Sequence, residues 1–113
     1  MSAILEKARA HFANMQRRVI EIPEWGDDDG PAKVYAPALT MADRQKIERR
    51  SKDDPVARLI NTIIHAAQNE DGTRMFSDDA VTRRAFEREI EPSIVARLET
   101  AILNVSDEAD LGE

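Results

Sequence analysis

The chain has 113 residues, a length that supports one small domain with a modest hydrophobic core. Its 16 Lys and Arg residues against 22 Asp and Glu residues give a net charge of −6, which disfavours a surface that neutralises nucleic-acid phosphates. Because the chain has no cysteine, disulfides and thiolate metal sites are excluded.

The first predicted element is a helix over residues 2 to about 15. Its apolar side chains recur at helical spacing, at Ile4, Leu5, Ala8, Phe12 and Met15. Glu6, Lys7 and Arg9 interrupt this segment, and no run of about 18 apolar residues occurs anywhere in the chain. Neither a signal sequence nor a membrane span is therefore predicted, and we expect a cytoplasmic protein.

Two stretches with β-branched residues, 18–23 and 33–39, predict a β-hairpin over about residues 18–39. The turn-forming residues 24–31 between them predict a long, acidic tip. An isolated two-stranded hairpin is marginally stable in water, so we expect this one to lie against helices.

The next two predicted elements are helices. Thr40 and Asp43 resemble a capping box and predict a short helix to about residue 50. A central helix is predicted from Pro55 to about Gln68, with a cap at Asp53 or Asp54. Its apolar residues have the clearest helical periodicity in the chain, at Val56, Leu59, Ile60, Ile63, Ile64 and Ala67.

A fourth helix is predicted after a cap at Ser77 or Asp78, with inward-facing Val81, Ala85, Phe86 and Ile90. A fifth is predicted from Pro92, with a stripe of Ile94, Leu98, Ala101, Ile102 and Val105. Residues 106–113 are acidic and short of apolar residues, which predicts a loose tail. We therefore predict that residues 1–105 form a single α+β domain, mainly α-helical, with one hairpin packed on four to five helices.

The sequence contains no recognisable catalytic or metal-binding pattern. His11 has no metal-ligand partner at suitable spacing, and His65 lies between the apolar Ile64 and Ala66 with no nucleophile paired to it by sequence. Structural roles are therefore favoured for both histidines. A calcium loop that began at Asn69 would place Arg74 where the sharp turn requires glycine. The serines fall at helix starts or in the tail, and no glycine-rich phosphate loop occurs. We therefore predict a non-enzymatic protein without a metal or cofactor, one that works by binding other proteins.

A set of apolar residues lies in or beside predicted turns, where burial is harder to achieve. These candidate protein-binding residues are Trp25, Tyr35, Leu39, Met75 and Phe76. For each of them, the alternative role is to close the hydrophobic core, and the sequence leaves both roles open.

Two segments of the chain resemble tail assembly chaperones of long-tailed phages and prophages. Residues 20–26, IEIPEWG, followed by Val34-Tyr35 and Leu39-Thr40, are similar to the opening hairpin of that family. Residues 66–79 resemble its helix, its D-G-x-x-x-F turn and the acidic start of its next helix. Asp71, Gly72 and Phe76 occupy the motif positions. The helix before the hairpin and the three aspartates at residues 27–29 depart from the family pattern.

The resemblance implies a non-enzymatic chaperone that coats the tape measure protein, keeps its apolar helices soluble and helps recruit tail tube subunits. The acidic charge and the lack of a long apolar run predict no nucleic-acid and no membrane partner, and the sequence leaves a homo-oligomer open. The alternative is a small regulatory or adaptor protein of helix-turn-helix type, with residues 94–102 as the reading helix. Arg97 is the only cation on that helix, so few phosphate contacts are available and the alternative is disfavoured.

Overall fold

A computed structural model describes residues 2–104. In chain order, the elements are α1 (Ala3–Ala13), β1 (Arg18–Asp27), β2 (Gly30–Ala36), α2 (Met41–Ser51), α3 (Pro55–Ala66), α4 (Ala80–Arg88) and α5 (Pro92–Leu103). The predicted α+β fold, mainly helical with one hairpin in the N-terminal half, is confirmed. The predicted loose tail lies outside the described residues.

The antiparallel hairpin pairs Val19 with Tyr35 and Ile20 with Val34. The prediction of a long acidic tip was wrong, because the strands continue to Asp27 and Gly30 with only a two-residue turn between them. Gly26 permits this arrangement, since a Cβ atom there would lie 2.2 Å from the carbonyl oxygen of Gly30. Glycines that resemble loop residues in the sequence therefore belong to the strands.

The hydrophobic core lies where the inner face of the hairpin meets α3, α4 and α5. Strand residues alternate between the two faces, so that Ile20 and Ile22 are buried whereas Val19 and Glu21 are exposed. The largest apolar side chains with almost no exposed surface are Ile22, Val34, Ile63, Ile64, Leu98 and Ile102. The core thus joins β1, β2, α3 and α5 around the middle of α3.

The central helix α3 begins as predicted. The carboxylate of Asp54 accepts hydrogen bonds from the backbone N–H groups of Val56 and Ala57, at 3.0 and 3.3 Å. The helix ends two residues earlier than predicted, because Gln68 leaves it to pair with β2. The N–H of Tyr35 donates to the carbonyl of Gln68, and the N–H of Gln68 donates back to the carbonyl of Tyr35.

Two predictions about α4 were wrong. The helix is capped by Asp79, whose carboxylate accepts from the N–H of Thr82 at 2.8 Å, and not by Ser77 or Asp78. Val81 was predicted to face inward but is 80% exposed. At 3.6 residues per turn, Val81 and Phe86 lie about 140° apart around the helix, so both cannot face the core. Phe86 is the buried residue of the pair.

The predicted capping box of α2 is confirmed. The hydroxyl of Thr40 accepts from the N–H of Asp43, and the carboxylate of Asp43 accepts from the N–H of Thr40, at 3.0 and 2.9 Å. At its other end, the helix stops at Lys52, which adopts a left-handed conformation. These two caps set where α2 begins and ends.

Candidate partner-binding surfaces

Among the described helices, α1 alone contains no buried residue. Ile4 is 73% exposed, Leu5 47% and Phe12 40%. With Ala8, these residues fall within an arc of about 100° on the helix. We refer to Ile4, Leu5, Ala8 and Phe12 as the α1 stripe. Nothing in the described part of the chain buries this stripe.

The chain is fixed in place just after α1. The guanidinium of Arg17 donates to the side-chain oxygen of Gln68 at 3.1 Å and to the backbone carbonyls of Asn69 and Glu70 at 3.2 and 2.8 Å. The same guanidinium lies 4.9 Å from the centre of the Tyr35 ring, within the range of a cation–π contact. The α1 stripe is therefore carried by a helix that leaves the domain at a defined point.

A second apolar surface is a groove bounded by α3, α4 and α5, with a volume of about 210 Å³. Val56, the first residue in the apolar periodicity of the central helix, lines this groove and is 57% exposed. It lies in the first turn of α3, where the neighbouring helices do not cover it. The other lining residues are Leu59, Ile60, Phe86, Glu87, Pro92 and Val95.

All five residues predicted to bind proteins are half-buried. Trp25, Leu39, Met75 and Phe76 pack against the hydrophobic core. Phe76 makes an edge-to-face contact with the ring of Phe86, with the ring centres 5.0 Å apart. These four residues therefore help to close the core and keep only part of their surface available for a partner.

Tyr35 differs from the other four because its strand position faces away from the core, opposite the exposed Val19. Tyr35 and Met75 lie on either side of one short segment: Tyr35 pairs with Gln68, and the N–H of Met75 donates to the carbonyl of Ala67 at 3.1 Å. The backbone thus brings these two predicted residues to neighbouring positions.

A charged pocket of about 260 Å³ lies between α2, α3 and the loop before α4. The Asp78 carboxylate lines it and is held by two arginines: Arg50 binds both oxygens, at 2.6 and 3.2 Å, and Arg83 binds one at 2.6 Å. A third arginine, Arg74, lies 3.8 Å from Asp78. Hydrogen bonds from Arg50 and then Arg83 lower the pKa of Asp78 far below its usual range.

Asp43 and His65 form a pair that could be mistaken for part of a catalytic triad. The Nε2 atom of His65 lies 2.9 Å from Asp43, whose other oxygen accepts from the Thr40 hydroxyl at 2.9 Å. In a triad the histidine stands between the hydroxyl and the carboxylate, so that it can take the hydroxyl proton. Here the carboxylate stands in the middle. The geometry therefore suits the capping box and a contact between α2 and α3.

The helix proposed to read DNA in the alternative hypothesis is α5. Its Ile94, Val95, Leu98 and Ile102 are buried against the rest of the domain. Its one cation, Arg97, binds the carboxylate of Glu24 on the hairpin at 2.6 Å. The arrangement therefore offers a DNA backbone no free cation from α5.

Within residues 2–104, no group of three His, Asp or Glu side chains is placed to hold a metal ion. No helix in the same range has the length and apolar character needed to cross a bilayer. Compared with known proteins, the chain matches no family model, no curated protein and no solved structure. The function of the chain must therefore be inferred from its own surfaces.

Sequence reasoning identified the apolar periodicity of α1 but did not propose the α1 stripe as a binding surface. The same spacing of apolar residues occurs whether a helix faces its own core or a partner. A signal was nevertheless present in the number of large apolar residues. Helix α1 has three, Ile4, Leu5 and Phe12, whereas α3 has five, Val56, Leu59, Ile60, Ile63 and Ile64. A helix with so few large apolar residues has little to contribute to a core.

Proposed function

We propose that this chain is a non-enzymatic tail assembly chaperone, which binds the tape measure protein and helps recruit tail tube subunits during phage tail morphogenesis. The observation that carries the proposal is the α1 stripe. Isolated helices shorter than about 12 to 15 residues are marginal in water, and most helices in proteins depend on a packed apolar face. The 11-residue α1 has such a face, and an apolar partner would cover it.

A tape measure helix suits this surface chemically. The resemblance implies a client with long apolar helices, and helices of this kind bind by laying one face along a matching apolar surface. The apolar groove bounded by α3, α4 and α5 offers a second such surface on the same chain. The net charge of −6 would keep the loaded complex in solution, because like-charged particles resist association.

Of the five predicted contact residues, Tyr35 is the one best placed to bind a client together with the α1 stripe. Its ring lies beside Arg17, which follows α1 closely, and it is not part of the hydrophobic core. Replacing Tyr35 by Ala leaves its two backbone hydrogen bonds to Gln68 intact. We therefore expect Tyr35→Ala to weaken client binding more than it weakens the fold.

Co-expression tests the proposal. The tagged chain is produced together with the tail tube and tape measure proteins of the same genome, captured by its tag, and sized. We expect it to retain a tape measure protein that is insoluble when expressed alone. If neither protein is retained and the chain elutes by itself, the chaperone proposal is wrong.

Two double variants of α1 locate the binding surface. Ile4→Asn with Phe12→Asn places two amides in the α1 stripe, whereas Glu6→Asn with Ala10→Asn places two amides on the opposite face. Both pairs introduce the same residue into the same helix, and the control pair loses the more helix propensity, because Glu and Ala favour helices more than Ile and Phe do. A loss of capture confined to the first pair therefore cannot come from helix propensity. We expect only the first pair to abolish capture of the tape measure protein. Equal capture by both would remove the α1 stripe from the proposal.

A further inference from the structure

The charged pocket between α2 and α3 is separate from the α1 stripe and has no part in the proposed chaperone function. The geometry points to a binding site for a small phosphate-bearing molecule, with Lys46 and Arg74 as the residues that hold the phosphate and the pocket wall of Ile47 and Ile64 facing its organic part.

The charge balance of the pocket is the first reason to expect that it binds an anion. Three full cations line it, Lys46, Arg50 and Arg74, against the single carboxylate of Asp78. That carboxylate is already bound by Arg50 at 2.6 Å, and by Arg83 from α4 at 2.6 Å. Positive charge is therefore in excess here, although the chain as a whole is acidic.

The second reason to expect an anion is the placement of Lys46 and Arg50, two like charges on one helix. They are four residues apart on α2 and therefore lie on the same face of the helix, an arrangement that is destabilising for like charges. Arg50 is neutralised by Asp78, whereas Lys46 has no ion-pair partner among residues 2–104. Arg74 reaches Asp78 only at 3.8 Å. An anion between Lys46 and Arg74 would satisfy both cations.

The other groups around the pocket leave the positive charge in excess. The Asp43 carboxylate accepts from the Thr40 N–H, contacts His65, and adds a second negative charge nearby. The four cations Lys46, Arg50, Arg74 and Arg83 still outnumber Asp43 and Asp78. The Asn61 side chain, almost fully buried, accepts from Arg83 at 2.9 Å and donates to the Ser51 hydroxyl at 3.2 Å. Its amide nitrogen carries two hydrogens, so it retains a second N–H to donate.

The size and lining of the pocket set the class of ligand. Its volume of about 260 Å³ lies just below the roughly 300 Å³ at which ordinary ligand pockets begin. It lies in a recess between two helices and a loop, which a nucleic-acid duplex does not enter. Two cations at separate positions favour a dianion over a single carboxylate. Ile47 and Ile64, which are 5% and 1% exposed, leave a small apolar edge in the pocket wall for the organic part to contact. A small phosphate monoester meets these conditions.

Titrations followed by amide NMR at low ionic strength test the proposal, with inorganic phosphate, phenyl phosphate and benzoate as probes. Benzoate keeps the phenyl group of phenyl phosphate but carries a single negative charge. We expect saturable shifts at Lys46, His65 and Arg74, with phenyl phosphate binding most tightly and benzoate most weakly. Added salt is expected to weaken binding, because the Lys46 and Arg74 side chains are exposed to solvent ions. Absence of saturation, or equal affinity for benzoate and phenyl phosphate, would overturn the proposal.

Single variants locate the site. Lys46→Gln and Arg74→Gln are each expected to weaken phenyl phosphate binding roughly threefold to tenfold, because each removes one charge from the ligand's surroundings. Neither is expected to unfold the chain, since both side chains are on the surface. Lys33→Gln on the outer face of β2 removes one exposed charge elsewhere and is the matched control. An equal loss in that variant would show that binding is non-specific and would refute the site.

Discussion

Helices α1 and α3 have the same general sequence pattern, but α3 is buried in the domain and α1 is exposed. Each has about three turns, an N-cap side chain that accepts from the first turn, and an apolar face. The middle of α3 is almost completely buried, with Ile63 fully inaccessible, whereas α1 buries nothing. The comparison shows that a period of 3.6 predicts a helix and its apolar face but not what covers that face. In α3 the cover is the domain, and for α1 we propose a partner.

The largest expected effect follows from a charge placed in each helix. Ile63→Asp buries an unpaired carboxylate and is expected to cost about 4 kcal/mol or more, enough to unfold a small domain. Ile4→Asp in α1 is expected to change stability by less than about 0.5 kcal/mol. Urea unfolding followed by circular dichroism measures both. A folded, cooperative Ile63→Asp chain would show that α3 is not the centre of the core.

Two phenylalanines give a matched test without a new charge. Phe86 is buried and in edge-to-face contact with Phe76, so Phe86→Ala is expected to cost about 3 kcal/mol. Phe12 projects from α1, and Phe12→Ala is expected to cost less than about 0.5 kcal/mol in the free chain. The difference is read from the two urea midpoints. Similar losses would mean that α1 packs on the domain in solution.

A smaller effect is expected at Asp78, which links α2 to α4 and the rim of the core. Asp78→Asn removes the charge that Arg50 and Arg83 bind, at an expected cost of about 1 to 2 kcal/mol, since the side chain is one-third exposed. Its folded pKa is lowered, so its contribution is full above the unfolded pKa of about 3.9 and is lost as the pH falls.

The pH dependence of unfolding checks this interpretation of Asp78. We expect the difference in stability between the natural chain and Asp78→Asn to be constant at neutral pH and to shrink below about pH 4. A difference that grew on acidification would mean that the pKa of Asp78 is raised in the folded state, contrary to its contacts with two arginines.

The smallest effects are expected at the helix caps. Asp54→Ala removes the acceptor for two N–H groups of α3 and is expected to cost about 1 kcal/mol. Ser2→Ala removes the acceptor for the N–H of Leu5 in α1. Because α1 is not coupled to the core, its loss of helicity is expected to leave the global unfolding midpoint unchanged. Thermal melting followed by residue-specific NMR signals in α1 and in α3 separates the local loss of helix in α1 from a change in global stability.

The sequence predicts the elements well because periodicity and caps are local properties. The capping box of Thr40 and Asp43 and the start of α3 at Pro55 are both recognisable in the sequence, which leaves only the choice between Asp53 and Asp54 as the cap to the structure. The hairpin tip is not recognisable in the sequence, because Gly26 and Gly30 are residues typical of loops but lie at the ends of the two strands. Composition alone does not distinguish the two.

The candidate sites were harder to predict than the elements. Val81 is exposed because it and Phe86 lie on different sides of α4 and only the side of Phe86 faces the core. The α1 stripe is exposed because no other described element packs against it. The charged pocket joins Lys46 and Arg50 of α2 with Arg74 and Asp78, which are more than 20 positions away in the chain. Such a cluster requires the tertiary fold and leaves no periodic pattern in the sequence.

Hydrogen exchange on the free chain and on the co-expressed complex is the most direct test of the central claim, that α1 is covered by a client. In the free chain, the amides of α1 are expected to exchange rapidly while those of α3 are protected. In the complex, α1 is expected to become protected while α3 changes little. Protection of α1 in the free chain, or rapid exchange of α1 in a complex that holds the tape measure protein, would contradict the account.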